Sequence, residues 1–141
     1  MLSPMDIGAH APWLLLLAVS LGAVIGVERR VRGHPAGLHT NSLVSLGSAA
    51  FVISGFIIGA DPSRVAAQVV TGSGFVCAGV IFHLGADVRG LNTAATLWCA
   101  SAVGVLVGVG RPALACQMAG MVLIVNIVLH FVEHNFMKRE P

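Results

Sequence analysis

Charged and hydrogen-bonding side chains are scarce in this chain, and three short clusters bring several of them together. The first lies in LGAVIGVERRVRGHPAGLHTN, residues 21–41, where an apolar run (11–27) gives way at Glu28 to Arg29, Arg30, Arg32, His34 and His39. An acid at the edge of a hydrocarbon layer is costly unless partnered. Arg32, four residues on, stands in the favourable order for an ion pair along one helix face. A local interfacial pair is one reading of Glu28. The sharper one turns the carboxylate inward across the mouth of a helix bundle, to face the turn at Arg89–Asn92 with Arg89 or Arg29 as its basic partner. That turn belongs to the second cluster, GADVRGLNTAATLWCA (85–100), which holds Asp87, Arg89, Asn92, Thr93 and Thr96. Turn chemistry explains part of it: Gly90 for a bend, Asn92 or Thr93 as a helix cap, threonines bonding back to the preceding turn. A charge network with Glu28 and the arginines of the first cluster would explain the rest. The third cluster, HFVEH (130–134), matches the H-x-x-E-H zinc pattern. Catalytic zinc needs a third ligand and an open position, and no neighbouring residue supplies one, so interfacial polar residues are the simpler account. With no Gly-rich phosphate loop, Ser-His-Asp arrangement or CxxC present, neither an enzyme, a metal nor a cofactor is expected.

The elements that must position these residues are membrane helices. Of 141 residues 56% are hydrophobic and 10% charged, with a mean hydropathy of +0.88. A soluble domain carries about 25% charged residues, so this chain's solvent is mostly lipid. A dispersed net charge of +2 gives no footprint for nucleic acid. Cys77, Cys99 and Cys116 lie in apolar stretches and are expected as free, buried thiols. No cleaved signal peptide is expected, because Asp6 and no Lys or Arg precede the first apolar run.

A bilayer core asks for about 20 apolar residues per helix, and five segments meet that length: about 11–27, 42–60, 65–86, 93–110 and 113–132. Short connections imply one all-α domain over 1–141, a compact polytopic bundle of five transmembrane helices. Connections one and three and the tail hold Arg29, Arg30, Arg32, Arg89, Lys138 and Arg139, against Arg64 and Arg111 opposite. The basic side is cytoplasmic, which puts the N-terminus outside and the C-terminus inside. Asp61-Pro62 reads as a cap with proline in the first turn; Thr40, Asn41 or Ser42 would cap segment two. Helices in lipid approach through small residues. The packing stripes expected are Ala18, Gly22 and Gly26, then Gly55 and Gly59, then Ala100, Gly104 and Gly108. TGSGFVCAG (71–79), with Gly72, Gly74 and Gly79, implies a helix crossed tightly by others, or one that is locally irregular. Gln68, Gln117 and Asn126 read as interhelical hydrogen-bonding groups.

These residues resemble the MgtC/SapB family of bacterial inner-membrane proteins. The similar pieces are LGAVIGVERR (21–30), AGLHTNSLVSLGSAAF (36–51), RVAAQVVTGSGFVCAGVIF (64–82) and VRGLNTAATLWCASAVGVLVGVG (88–110). Departures are His39 where members usually carry arginine, and Ser73 and Cys77 in a glycine-rich motif. The resemblance implies a five-helix multi-pass protein linked to survival at low magnesium and to virulence, regulating other membrane machines such as the F-type ATP synthase. It implies a functional asparagine at Asn92, with Glu28, Arg29, Thr40, Asn41, Arg89, Gly90, Thr93 and Thr96 on the motif; Asp87 completes the polar cluster expected from the residues. Well-known members continue into an ACT-type cytoplasmic domain, which is expected to be lacking here. The expected partners are the lipid bilayer and another membrane protein, with self-association open and nucleic acid excluded. The alternative function is a small magnesium channel or carrier with Glu28 and Asp87 at its inner mouth.

Overall fold

The computed structural model describes residues 4–85, 87–132 and 135. They form five helices: α1 (Pro4–Val31), α2 (Leu38–Ile57), α3 (Pro62–Ala78), α4 (Leu91–Gly108) and α5 (Pro112–Val132). A two-stranded hairpin, β1 (Phe82–Leu84) with β2 (Asp87–Arg89), separates α3 from α4. Four helices, α1, α2, α4 and α5, are long and apolar enough to cross a membrane.

The third segment departs from expectation. A helix over 65–86 was anticipated, yet α3 stops after 17 residues and the chain returns as an antiparallel hairpin pairing Phe82 with Arg89 and Leu84 with Asp87. The unbroken apolar composition hid the stop. After the hairpin Gly90 leads into α4 at φ 91°, close to the Val80 carbonyl, where any Cβ would collide. Only glycine adopts that conformation without strain. The caps expected for α2 and α4 are absent as well. Gly37 and Gly90 hold the N-cap positions without a side-chain bond, because both helices start earlier than the polar residues suggested. Asp61 does cap α3, its Oδ1 accepting from the Ser63 amide at 2.9 Å ahead of Pro62.

Small residues set the helix directions. Gly22 lies against Asn41, Ser42 and Ser45, and Gly26 against Gly37 and Leu38, so α1 and α2 form an antiparallel pair at backbone contact. Gly104 meets the Ser45 carbonyl, and Gly108 meets Ala49 and Val52, which lays α4 alongside α2 in the same direction. The Ser48 and Ser101 hydroxyls join this contact at 2.9 Å. Between two helices running the same way, α3 has to run back. Its start packs Val65 on Gly55 of α2, and near its end the Cys77 thiol donates to the Ala94 carbonyl of α4 at 3.2 Å.

One apolar core, including Ala18, Ile25, Ala49, Ile53, Val103, Val107, Ala115 and Val122, joins α1, α2, α4 and α5. Helix α3 stands outside it, with Cys77 its one buried residue. Gly72, Gly74 and Gly79 therefore pack against no other helix among the described residues: nothing lies within 4 Å of a Cβ at the first two, and at Gly79 only the helix's own preceding turn does. The thiols are free, but Cys99 is half-buried and Cys116 exposed on the outward side of α5. Gln68 and Gln117 have no side-chain hydrogen bond among the described residues; Asn126 has one.

Candidate functional site

The polar residues converge where α1 ends. Gly33, at φ 75°, closes that helix in a Schellman turn: its amide donates to the Arg30 carbonyl and that of His34 to the Arg29 carbonyl, each at 3.0 Å. The turn fixes Glu28, Arg29 and Arg32 on the last helical turn and folds His34 back over them.

Successive helical residues point about 100° apart, and this divides the work between Glu28 and Arg29. Glu28 faces α5. Its Oε1 lies 2.6 Å from Arg32 Nε, and its Oε2 accepts from Asn126 Nδ2 at 3.3 Å. Arg32 Nη1 donates to the Asn126 main-chain carbonyl at 3.4 Å. Acid and base therefore grip one asparagine from two sides and bolt α1 to α5. The Glu28 side chain is 9% exposed and that of Arg32 20%, so the pair is neither a solvated surface bridge nor a dry one.

Arg29 faces α4. It is the largest fully buried side chain, 1% exposed. Its Nη1 donates to Asn92 Oδ1 at 3.4 Å and its Nη2 to Thr93 Oγ1 at 3.2 Å. Thr93 is buried, and so is Thr96, whose hydroxyl donates back to the Asn92 carbonyl at 2.9 Å. No carboxylate lies within ion-pairing distance of Arg29 among the described residues, and its Nε has no hydrogen-bond partner. A buried cation satisfied by neutral oxygens alone is costly, and its place in the last turn of α1, at the negative end of the helix dipole, offsets part of that cost.

The expected contact between Glu28 and the Arg89–Asn92 turn does not form. Arg89 and Asp87 sit on exposed β2, paired with each other at 3.1 Å, because the unforeseen hairpin carries both away from the bundle. Asn41 is wholly buried, and its Nδ2 donates to the carbonyls of Ala36 and Gly37 at 3.0 and 2.9 Å, fastening the first connection rather than facing Arg29. Thr40 lines a different surface. In HFVEH, Glu133 and His134 lie outside the described residues. The specific contact of Asn126 was not legible; its signal was a lone amide in the second half of an otherwise apolar segment.

Two cavities flank this region. One, of about 430 Å³, opens between α1, α4 and α5 with Glu28, Arg29, Arg32, His34, Asn92 and Asn126 at its polar end. Burial, and then the charge of Arg29, hold the His34 imidazole below its usual pKa. The other, about 800 Å³, is a cleft between α2 and α3 lined largely by small and apolar residues, Gly47, Gly55, Gly72, Ser73 and Leu43 among them, with Thr40 at one end.

A helical bundle with apolar spans, and with its buried polar groups gathered chiefly at the end where α1 stops, is the class of protein these features define. The chain belongs to the MgtC family, whose sequence profile matches residues 15–135. Protein MgtC of Brucella abortus (strain 2308) is 50% identical over 123 residues, 86% of this chain and 52% of its own length. Protein MgtC of Salmonella typhimurium (strain 14028s) is 51% identical over 116 residues, 82% of this chain and 50% of its own. The chain thus spans about half the length of the curated relatives it matches. No solved structure matches it.

Proposed function

We propose that the chain is a multi-pass protein of the bacterial inner membrane, N-terminus outside and C-terminus cytoplasmic, and that it acts by docking on another membrane complex and altering it. It is neither an enzyme nor a carrier in this reading. The observation that carries it is the cleft between α2 and α3. Helix α3 stands off the common core, and on its cleft side the exposed Gly72 and half-buried Ser73 give a partner helix room for the close backbone approach that membrane association requires. The alternation of helix directions supports five traversals, with α3 the third. Resemblance to the family supports a transporter or the F-type ATP synthase as the complex, and adaptation to low magnesium or host stress as the setting.

A cation channel or carrier fits the site less well. Both Glu28 oxygens are engaged by Arg32 and Asn126, Arg29 places an unneutralised positive charge beside them, and Asp87 is paired with Arg89 on the exposed hairpin. A carrier normally gathers polar groups near the bilayer midplane; here they gather at one end. Purified protein in liposomes should give no divalent-cation flux above that of empty vesicles. Saturable magnesium uptake that Glu28→Gln removes would establish the alternative.

A further inference from the structure

We propose that the cavity between α1, α4 and α5 is a binding site for the phosphate-bearing headgroup of an anionic phospholipid, with one acyl chain laid along α5. Three features on different elements carry this, beyond the docking function.

The first is the unused donor. Arg29 is more than nine-tenths buried and lines the cavity; its two terminal nitrogens are taken by Asn92 and Thr93, while Nε has no partner. Buried polar groups are nearly always satisfied, so the unpartnered Nε leaves a guanidinium that lines the cavity short of one acceptor. The second is charge. Among the described residues Glu28 is the one acid lining the cavity; its Oε2 accepts from Asn126, and its Oε1 has no hydrogen bond but lies 2.6 Å from Arg32 Nε in an ion pair. Arg29 then leaves the polar end with a net positive charge, and His34 and His130 stand beside it. The ligand is therefore an anion with several acceptor oxygens, the chemistry of a phosphate ester.

The third feature chooses between a free phosphate and a lipid. Away from the charges the cavity wall becomes Met118, Met121, Val122, Val125 and Leu129 of α5. Met121, Val125 and Leu129 are also about half exposed on the outer surface of the bundle. A free phosphate gains nothing from that wall, whereas a phospholipid places its headgroup at the arginines and lets its chain leave sideways along α5 into the bilayer. Basic pockets between membrane helices on the cytoplasmic side hold anionic headgroups in this way.

The test uses the full chain, stripped of lipid in a mild zwitterionic detergent, with native mass spectrometry and thermal unfolding as readouts. Phosphatidylglycerol should leave a one-to-one adduct and raise the unfolding temperature, and phosphatidylcholine and inorganic phosphate should do neither. Arg32→Gln should weaken the phosphatidylglycerol adduct about fivefold, the effect of roughly one surface charge, because Glu28 then faces the phosphate unneutralised. Met121→Trp, an exposed position that leaves every polar group in place, should block the chain and lose the adduct. Leu43→Trp in the other cleft should keep it. Equal binding of phosphatidylcholine, equal stabilisation by inorganic phosphate, or an adduct unchanged in a folded Met121→Trp protein would each overturn the proposal.

Discussion

Arg29 Nη2 donates to Thr93 Oγ1 at 3.2 Å, both side chains buried, and so joins the end of the first helix to the start of the fourth across 64 positions of sequence. Neutral oxygens hold the charge, so the contact is strong only while each of them stays in place. The stability of the bundle at this end is tied to two small side chains on the first turn of α4.

Removing those acceptors should cost more than removing the cation. Asn92→Ala and Thr93→Val each strand part of the guanidinium and should lower stability by about 1–3 kcal/mol, the cost of an unsatisfied buried group. Adding Arg29→Met to the Asn92→Ala/Thr93→Val protein should restore part of the loss, since replacing a buried charge by an apolar side chain is often neutral. Unfolding of the purified variants in mild detergent measures this, and further destabilisation by Arg29→Met would contradict it.

Glu28 and Asn126 should prove coupled. Glu28→Ala and Asn126→Ala remove opposite ends of the same hydrogen bond, so the double variant should lose less stability than the two singles together, by about 0.5–3 kcal/mol. A double-mutant cycle on unfolding free energies decides it. Strict additivity would mean that Arg32 alone holds the carboxylate.

The glycines should separate into two groups. A methyl at Gly22 or Gly104 meets main-chain atoms of α2, and Gly22→Ala or Gly104→Ala should cost about 1–3 kcal/mol through overpacking. At Gly72 and Gly74 there is open space, so alanine should be neutral or stabilise α3 by up to about 1 kcal/mol, the ordinary gain in helix propensity. Thermal unfolding of the four single variants tests this, and equal losses at all four positions would show α3 packed against the bundle.

His34 should titrate below the 6.5 of an unperturbed imidazole. Burial and Arg29 disfavour its charged form, partly opposed by Glu28, with Arg32 and His130 also facing it. The unfolded chain then binds the proton more tightly than the folded one. His34 therefore contributes stability that is complete above about pH 6.5 and lost as pH falls through the folded value. The NMR pH titration of His34 checks the midpoint, and a value above 6.5 would reverse the sign.

Four of the helices could be read from the sequence because hydrophobic length is a strong signal. Gly22, Gly26, Gly104 and Gly108 at fourfold spacing lie on the contacts that order α1, α2 and α4. The end of α3 was not legible. Phe82, Leu84 and Val88 are as apolar as a helix interior, and composition does not record that Gly90 leaves room beside the Val80 carbonyl that a Cβ would fill. The region of the site was legible and its pairing was not. Glu28 marks the exit of α1, but which of Glu28 and Arg29 looks across to Asn92 depends on helix phase, and a difference of one residue swings a side chain through about 100°. Placing Asp87 and Arg89 near Glu28 failed for the same reason as the α3 boundary, since both ride on the hairpin.

The docking reading stands or falls on the cleft between α2 and α3. The most direct measurement is recovery of a membrane complex with the tagged chain from mild-detergent extracts, comparing the wild type with Gly72→Trp and Cys116→Trp. Gly72 lines the cleft, whereas Cys116 is exposed on α5, outside it. The account predicts that the wild type and Cys116→Trp bring down the same defined complex and that Gly72→Trp, folded and inserted to the same level, does not. Undiminished recovery with Gly72→Trp would contradict it.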